Sequence, residues 1–283
     1  MNRRVLAGRL LMTTPNCALL LLLLDALVFG RFNIAAGQQR EPVEAKRSNT
    51  ATHEVIPNDD APEELKPLIA AGKVKIVYDS EFDFVKAERG WADFQVDLRY
   101  SFKYNVMKSR KNGRTQVRIV ITKLEPKIEL THLIRLPASF KSPQVWQGRI
   151  LWHEFDHVAV SLDPRARLLL KHLLKRLRVI DRTLDEGEEP SDELLSKIVE
   201  DEITKRRQAV VELMRQNNVL LDKVGGHGVQ AVPERSAFFT KLYTKEHLAE
   251  QKISYVDQVL DLLERPEYRD AELPFLRRDV NDR

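Results

Sequence analysis

Cysteine is almost missing from this 283-residue chain: the one thiol, Cys17, sits near the N-terminus just ahead of a leucine-rich run. No disulfide can form within a single chain, and Cys17 does not follow the apolar run as a lipidated cysteine would. Stability must then come from an apolar core or a bound metal, and about 220 residues suffice for one core. Long hydrophobic runs are equally scarce. The best, Ala18 to Gly30, contains six leucines from Leu19 to Leu24 but is interrupted by Asp25, and a membrane span needs about 20 mostly apolar residues. A large excess of one charge is also lacking. The formal net charge is +4, and residues 1–36 hold Arg3, Arg4, Arg9 and Arg31 against Asp25, so +4 minus +3 leaves +1 for the rest. That balance excludes the densely basic surface that nucleic acid demands.

The N-terminus does have a recognisable order. Arginines precede the leucine run, and Ala35, Ala36 and Gly37 follow it. A positive start, an apolar middle and small residues at the end make a secretory signal over 1–36. The expected location is secreted or periplasmic, with the mature chain starting near Ala36 or Gly37 and associating only transiently with the membrane or cell envelope. An uncleaved anchor is the alternative.

Residues 37–68, polar and carrying Pro42, Pro57 and Pro62, read as a flexible linker or prosegment. A single domain over 69–263 is expected beyond it, followed by a charged, loose tail over 264–283. The domain divides in two. Residues 73–137 are β-rich: Phe94, Val96, Leu98, Tyr100, Phe102, Tyr104 and Val106 alternate with mostly polar neighbours, and Asn112-Gly113 supplies a tight turn. Val117, Ile119 and Ile121 resume the alternation, and Ile128, Leu130, His132 and Ile134 predict a further strand, all antiparallel. His132 reads as a core histidine. Residues 144–263 are helical, with Asp163-Pro164 opening one helix to about Ile180, Ser191 capping a long one to about Leu221, and another over Pro233 to Leu263.

The chemistry is concentrated in His153-Glu154-Phe155-Asp156-His157. On a helix, positions four apart share a face, so His153 and His157 can hold one metal with Glu154 beside it. Two imidazoles and a third protein ligand leave one coordination position open for water, whose proton Glu154 can accept as general base. Ile150, Leu151, Phe155, Val158 and Val160 around the motif predict a buried helix. The fold class expected is therefore α+β, an antiparallel β-rich part followed by a zincin-like helical part.

Leu136-Pro137, Trp146, the His-Glu-x-x-His window with Val158, and the later Leu221-Asp222-x-x-Gly225-Gly226-His227-Gly228 with Glu234 beyond resemble the bacterial family of predicted secreted zinc-dependent proteases. The likeness covers about residues 73 to 245. The second motif departs from the family's Tyr-Asp-x-x-Thr-x-His-Gly pattern at Leu221 and Gly225. The resemblance implies a zinc peptidase acting on a peptide or protein substrate, with His227 as the third ligand. Its setting between Gly226 and Gly228 also favours an aimed imidazole. Glu200 or Glu202, Asp163 and Glu234 are the other candidates, although Asp163 is well explained as a helix cap before Pro164. The leading expectation is an exported zinc metallopeptidase that binds substrate along an exposed strand edge. The alternative is a zinc-binding envelope protein, either a cell-wall amidase or a non-catalytic module.

Overall fold

The computed structural model describes residues 33–40, 53–80 and 89–273. Most of the expected signal lies outside the described residues, as do 41–52 and the end of the charged tail. The fold is mixed α/β, built on one sheet of six strands: β1 (Asn33–Arg40), β2 (Glu54–Val55), β3 (Val74–Asp79), β4 (Trp91–Lys111), β5 (Arg114–Pro137) and β6 (Val179–Thr183). Their order is β1-β4-β5-β3-β2, with β6 also on β5. Strand β1 pairs antiparallel with residues 99–106 of β4. It crosses the expected cleavage point near Ala36 and Gly37.

The long hairpin β4–β5 organises the sheet. Asn112 and Gly113 both have positive φ, 53° and 77°, the two-residue turn that matches the strand twist. Along β4 the even positions from Val96 to Val106 are buried, so one face meets the core and the other meets solvent. On β5 the buried parity changes from odd, at Val117, Ile119 and Ile121, to even, at Ile128, Ile134 and Leu136. An irregularity in the pairing permits this: Lys103 faces Lys123 but Tyr104 faces Ile121, leaving Thr122 as an extra residue. A bulge shifts register by one and so turns both halves toward one core. The hydroxyl of Thr122 donates to the Lys103 carbonyl at 3.1 Å. The two expected strands are thus one.

Four further expectations need correction. The sheet is mixed, because β3 runs parallel to β5, reached through the short helix α1 (Lys66–Gly72). The expected linker does not extend to residue 68: Ile56, Ala61, Leu65 and Leu68 are buried, and the Ile56 N–H donates to the Ile76 carbonyl at 3.0 Å. Its few apolar residues are spaced to reach the sheet, which a polar average conceals. The helical tail region is also broken into α5 (Arg235–Lys241), α6 (Lys245–Glu250), α7 (Val256–Leu263) and α8 (Pro266–Arg269). Tyr268 of the supposedly loose tail is 4% exposed and donates to the Tyr243 carbonyl.

Helices α2 (Arg149–Ser161), α3 (Pro164–Arg176) and α4 (Asp192–Gly225) pack together over the buried face. Helix α3 is shorter than expected, since Val179–Thr183 leave it to join β5 as β6. Asp163 caps it by accepting from the Arg165 N–H at 2.9 Å. The same carboxylate holds the Arg165 guanidinium at 3.0 and 2.7 Å, and Arg165 in turn donates to the carbonyls of Phe239 and Thr240. Asp163→Ala strands a buried cation, so a loss of about 3–5 kcal/mol in urea unfolding is expected. Unchanged stability would show that the pair carries no structural load. Among the described residues no helix is long and apolar enough to cross a membrane.

Candidate metal centre

Helix α2 carries the His-Glu-x-x-His window and is enclosed: His153, Glu154 and His157 are 4%, 2% and 8% exposed. Apolar residues on almost every side of α2 place it in the interior, between the sheet and α4. The ligand atoms of His153, His157 and Asp222 all lie within 4.8 Å of one another, and this cluster can hold a metal ion. Nε2 of His153 is 3.2 Å and Nε2 of His157 is 3.1 Å from Oδ1 of Asp222. Ligands about 2.0–2.1 Å from a tetrahedral centre stand roughly 3.3 Å apart. Those two separations therefore match tetrahedron edges.

Asp222 comes from the last turn of α4, which runs to Gly225, about one turn beyond the expected end at Leu221. The helix stops at Gly226, which takes the left-handed conformation at φ 55°. Gly228, at φ 84°, lets the chain pass His153 closely: a Cβ there would come within 3.0 Å of the histidine's own Cβ. Any side chain at that position would push the end of α4 away from the motif helix.

Hydrogen bonding prepares His157 for a cation. Nδ1 donates to Oδ1 of Asn218 at 2.9 Å, and Nδ2 of Asn218 donates to the Met214 carbonyl, which orients the amide. With its proton on Nδ1, neutral His157 presents the Nε2 lone pair. Burial alone would depress His157. The hydrogen bond and charge of Asp222, the charge of Glu154 and the bond to Asn218 overcome it and push the group up to about 9. Burial likewise works against the Asp222 carboxylate, but hydrogen bonds from His153 and His157 and the charges of His157 and His227 hold it well below its ordinary value.

Glu154 is adjacent and not part of the cluster. Burial raises it to about 7, against the charge of His157. The backbone N–H of Ala92 donates to its carboxylate, and Gly90 makes room: a Cβ there would come within 2.6 Å of the carboxylate. Oε2 is buried with no hydrogen-bond partner. A buried carboxylate oxygen without a partner is costly, and this one keeps its acceptor capacity unused.

The structure brings His153, His157 and Glu154 together as the motif spacing predicts. His227 is present but outside the three-atom cluster. Its side chain is 46% exposed, its Nδ1 is 3.0 Å from Oδ1 of Asp222, and its backbone is left-handed at φ 55°. The other candidates are engaged elsewhere. Asp163 is tied to Arg165, Glu202 bonds Lys205 and Arg206, Glu200 acts electrostatically on Tyr104, and Glu234 precedes α5 in a left-handed conformation. His132 is 5% exposed and bonded to the Gly72 carbonyl and the Ser161 hydroxyl, at 2.8 and 2.6 Å. Asp222 and Asn218 were the residues missed. Their signal was present, since polar side chains four apart near the end of an apolar helical pattern share one face.

Comparison of the chain with protein-family models, with curated proteins and with solved structures finds no match in any of the three.

Proposed function

We propose that the chain is an exported zinc-dependent metallopeptidase of zincin-like architecture. One observation carries this reading: two imidazoles and a carboxylate converge on one point beside a buried glutamate whose outer oxygen has no partner. His153, His157 and Asp222 would hold the ion. An N₂O donor set of this kind suits zinc and leaves a position open, as catalytic rather than structural sites do. Zinc bound there would supply Lewis acidity, polarising a carbonyl and acidifying water.

The protein's own groups do the rest. Glu154 accepts a proton from the attacking water and passes it to the departing amine, a transfer suited to a carboxylate raised to about 7 by burial. His227 lies against Asp222, its Nδ1 3.0 Å from Oδ1, and supports that carboxylate electrostatically. Substrate backbone has a natural partner in β4. Strand β1 covers only residues 99–106 of it, and among the described residues no strand pairs with the 91–98 half on that side. The Ala92 N–H in that half is taken by Glu154 and the Val96 carbonyl by Arg207, so a peptide added there would exchange its own main-chain hydrogen bonds for these and lie beside the catalytic carboxylate. The charge balance of +1 outside residues 1–36 favours a peptide partner over nucleic acid.

The purified chain, loaded with zinc, is expected to cleave peptides from a mixed-sequence library, and a chelator should abolish cleavage until zinc is restored. Zinc uptake without cleavage of peptides, but with release from cell-wall peptide, would favour the amidase alternative. Uptake with neither activity would favour a binding module.

A further inference from the structure

The near-neutral balance outside residues 1–36 is an average over a segregated chain. Between Asp97 and Glu125 the sequence carries eight Lys and Arg and no acid, and the β4–β5 hairpin gathers them toward its turn. Residues 107–114 are all exposed, and a Cβ on Gly113 would meet nothing within 4 Å. This end of the sheet stands clear of the body.

Its two faces differ. On the helix side, Tyr104 reaches the start of α4 and Lys108 donates to the Pro190 carbonyl at 3.0 Å, which sets the acidic stretch from Asp185 to Glu189 beside that face. The protein supplies counter-charge there itself. On the opposite face, residues directly across the pairing form successive rows: Lys103–Lys123, Asn105–Val120–Val179, Met107–Arg118–Asp181, Ser109–Gln116–Thr183 and Lys111–Arg114. Five cations stand there against one acid, Asp181, which takes Arg118 at 2.7 and 2.9 Å. Lys123 pairs with Glu125 beyond the last row. Lys103, Lys111 and Arg114 form no ion pair among the described residues. Two of the rows oppose like charges directly, an arrangement that weakens a sheet. Between those rows Met107 and Val179 are 37% and 48% exposed. Unrelieved cations around exposed apolar side chains suit a surface that is anionic outside and apolar beneath.

We infer that this face docks on a lipid bilayer bearing acidic headgroups, its cations level with the phosphates and Met107 and Val179 reaching below them. Nucleic acid fits less well. A single strand asks for aromatic stacking platforms, and no Phe, Tyr or Trp occurs between Tyr104 and Phe140. A duplex offers nothing to the two apolar side chains. Docked this way, the helical layer with the candidate metal centre faces away from the bilayer, and Ala92 lies about 50 Å along β4 from Met107. Docking of this kind does not require peptidase activity.

Vesicle flotation of the full chain at physiological salt would compare phosphatidylcholine with an equimolar mixture of phosphatidylcholine and phosphatidylglycerol. Each cation near an acidic surface raises partitioning roughly fivefold, so the wild type is expected to favour the mixed vesicles by at least about 10-fold. Lys111→Glu removes one cation and sets an acid opposite Arg114. It should weaken binding to the mixed vesicles by about 10-fold while holding or raising the melting temperature, which separates docking from folding. The leucine-rich N-terminus can also bind vesicles, so Arg3→Gln/Arg4→Gln/Arg9→Gln serves as its control and should keep most of the preference. Equal binding to the two vesicles, or a preference lost in the triple variant but kept in Lys111→Glu, would overturn the docking face. Tighter binding to a duplex oligonucleotide than to the mixed vesicles would overturn it in favour of nucleic acid.

Discussion

Glu154→Gln is expected to lower peptide hydrolysis by about 10²- to 10⁴-fold, the range a positioned general base contributes, while metal content stays at the wild-type level. Glutamine preserves shape and can still accept from Ala92, so the fold has no reason to change. Its stability should hold or rise, because the wild-type carboxylate is 2% exposed and keeps one oxygen without a partner, and burying a charge is costlier than burying an amide. Steady-state kinetics at matched zinc loading, beside thermal melting, would measure both. Equal rates for wild type and variant would remove Glu154 from the mechanism.

Asp222→Ala and His227→Ala are expected to separate a ligand from its support. Asp222 lies 3.2 and 3.1 Å from the two motif imidazoles, whereas His227 reaches the site through Asp222 at 3.0 Å and is half in solvent. Loss of an outer partner typically costs about 10–100-fold in metal affinity, and that range is expected for His227→Ala. Asp222→Ala should exceed it, since a charged donor leaves the inner set. Chelator competition provides the comparison. The reverse order, with His227→Ala the more damaging, would restore the histidine as third ligand and make Asp222 its support.

How much of this was legible depends on how local each signal is. The alternation from Val96 to Val106 and the Asn112-Gly113 turn are carried by neighbouring residues, and the hairpin they predict is there. The helix bearing His153 and His157 follows from a spacing of four within an apolar segment. Strand β5 looked like two strands because Thr122 inverts the buried parity, and only the pairing partner reveals a bulge. Strand β6 escaped notice because it is short and mostly exposed. The parallel contact of β3 with β5 joins Val74 to His132, a pairing that no periodicity within either segment encodes. At the candidate site, the spacing that identifies His153 and His157 is fixed by one helix, but their companion lies 65 residues from His157. Asp222 stood inside the motif containing His227, and the choice between them turns on which way each side chain points. Backbone conformation decides that. The helix continues far enough to aim Asp222 inward, while the left-handed turn at His227 leaves its ring at the surface.

Metal content measured by inductively coupled plasma mass spectrometry, on the full chain purified without added metal, addresses the central claim most directly. The geometry predicts about one zinc per chain in the wild type, at most a trace in His153→Ala/His157→Ala, and retention in Asp163→Ala, whose carboxylate is committed to Arg165. A wild-type chain that carries no metal even after incubation with zinc, or a double variant that binds it as well as the wild type, would contradict the account.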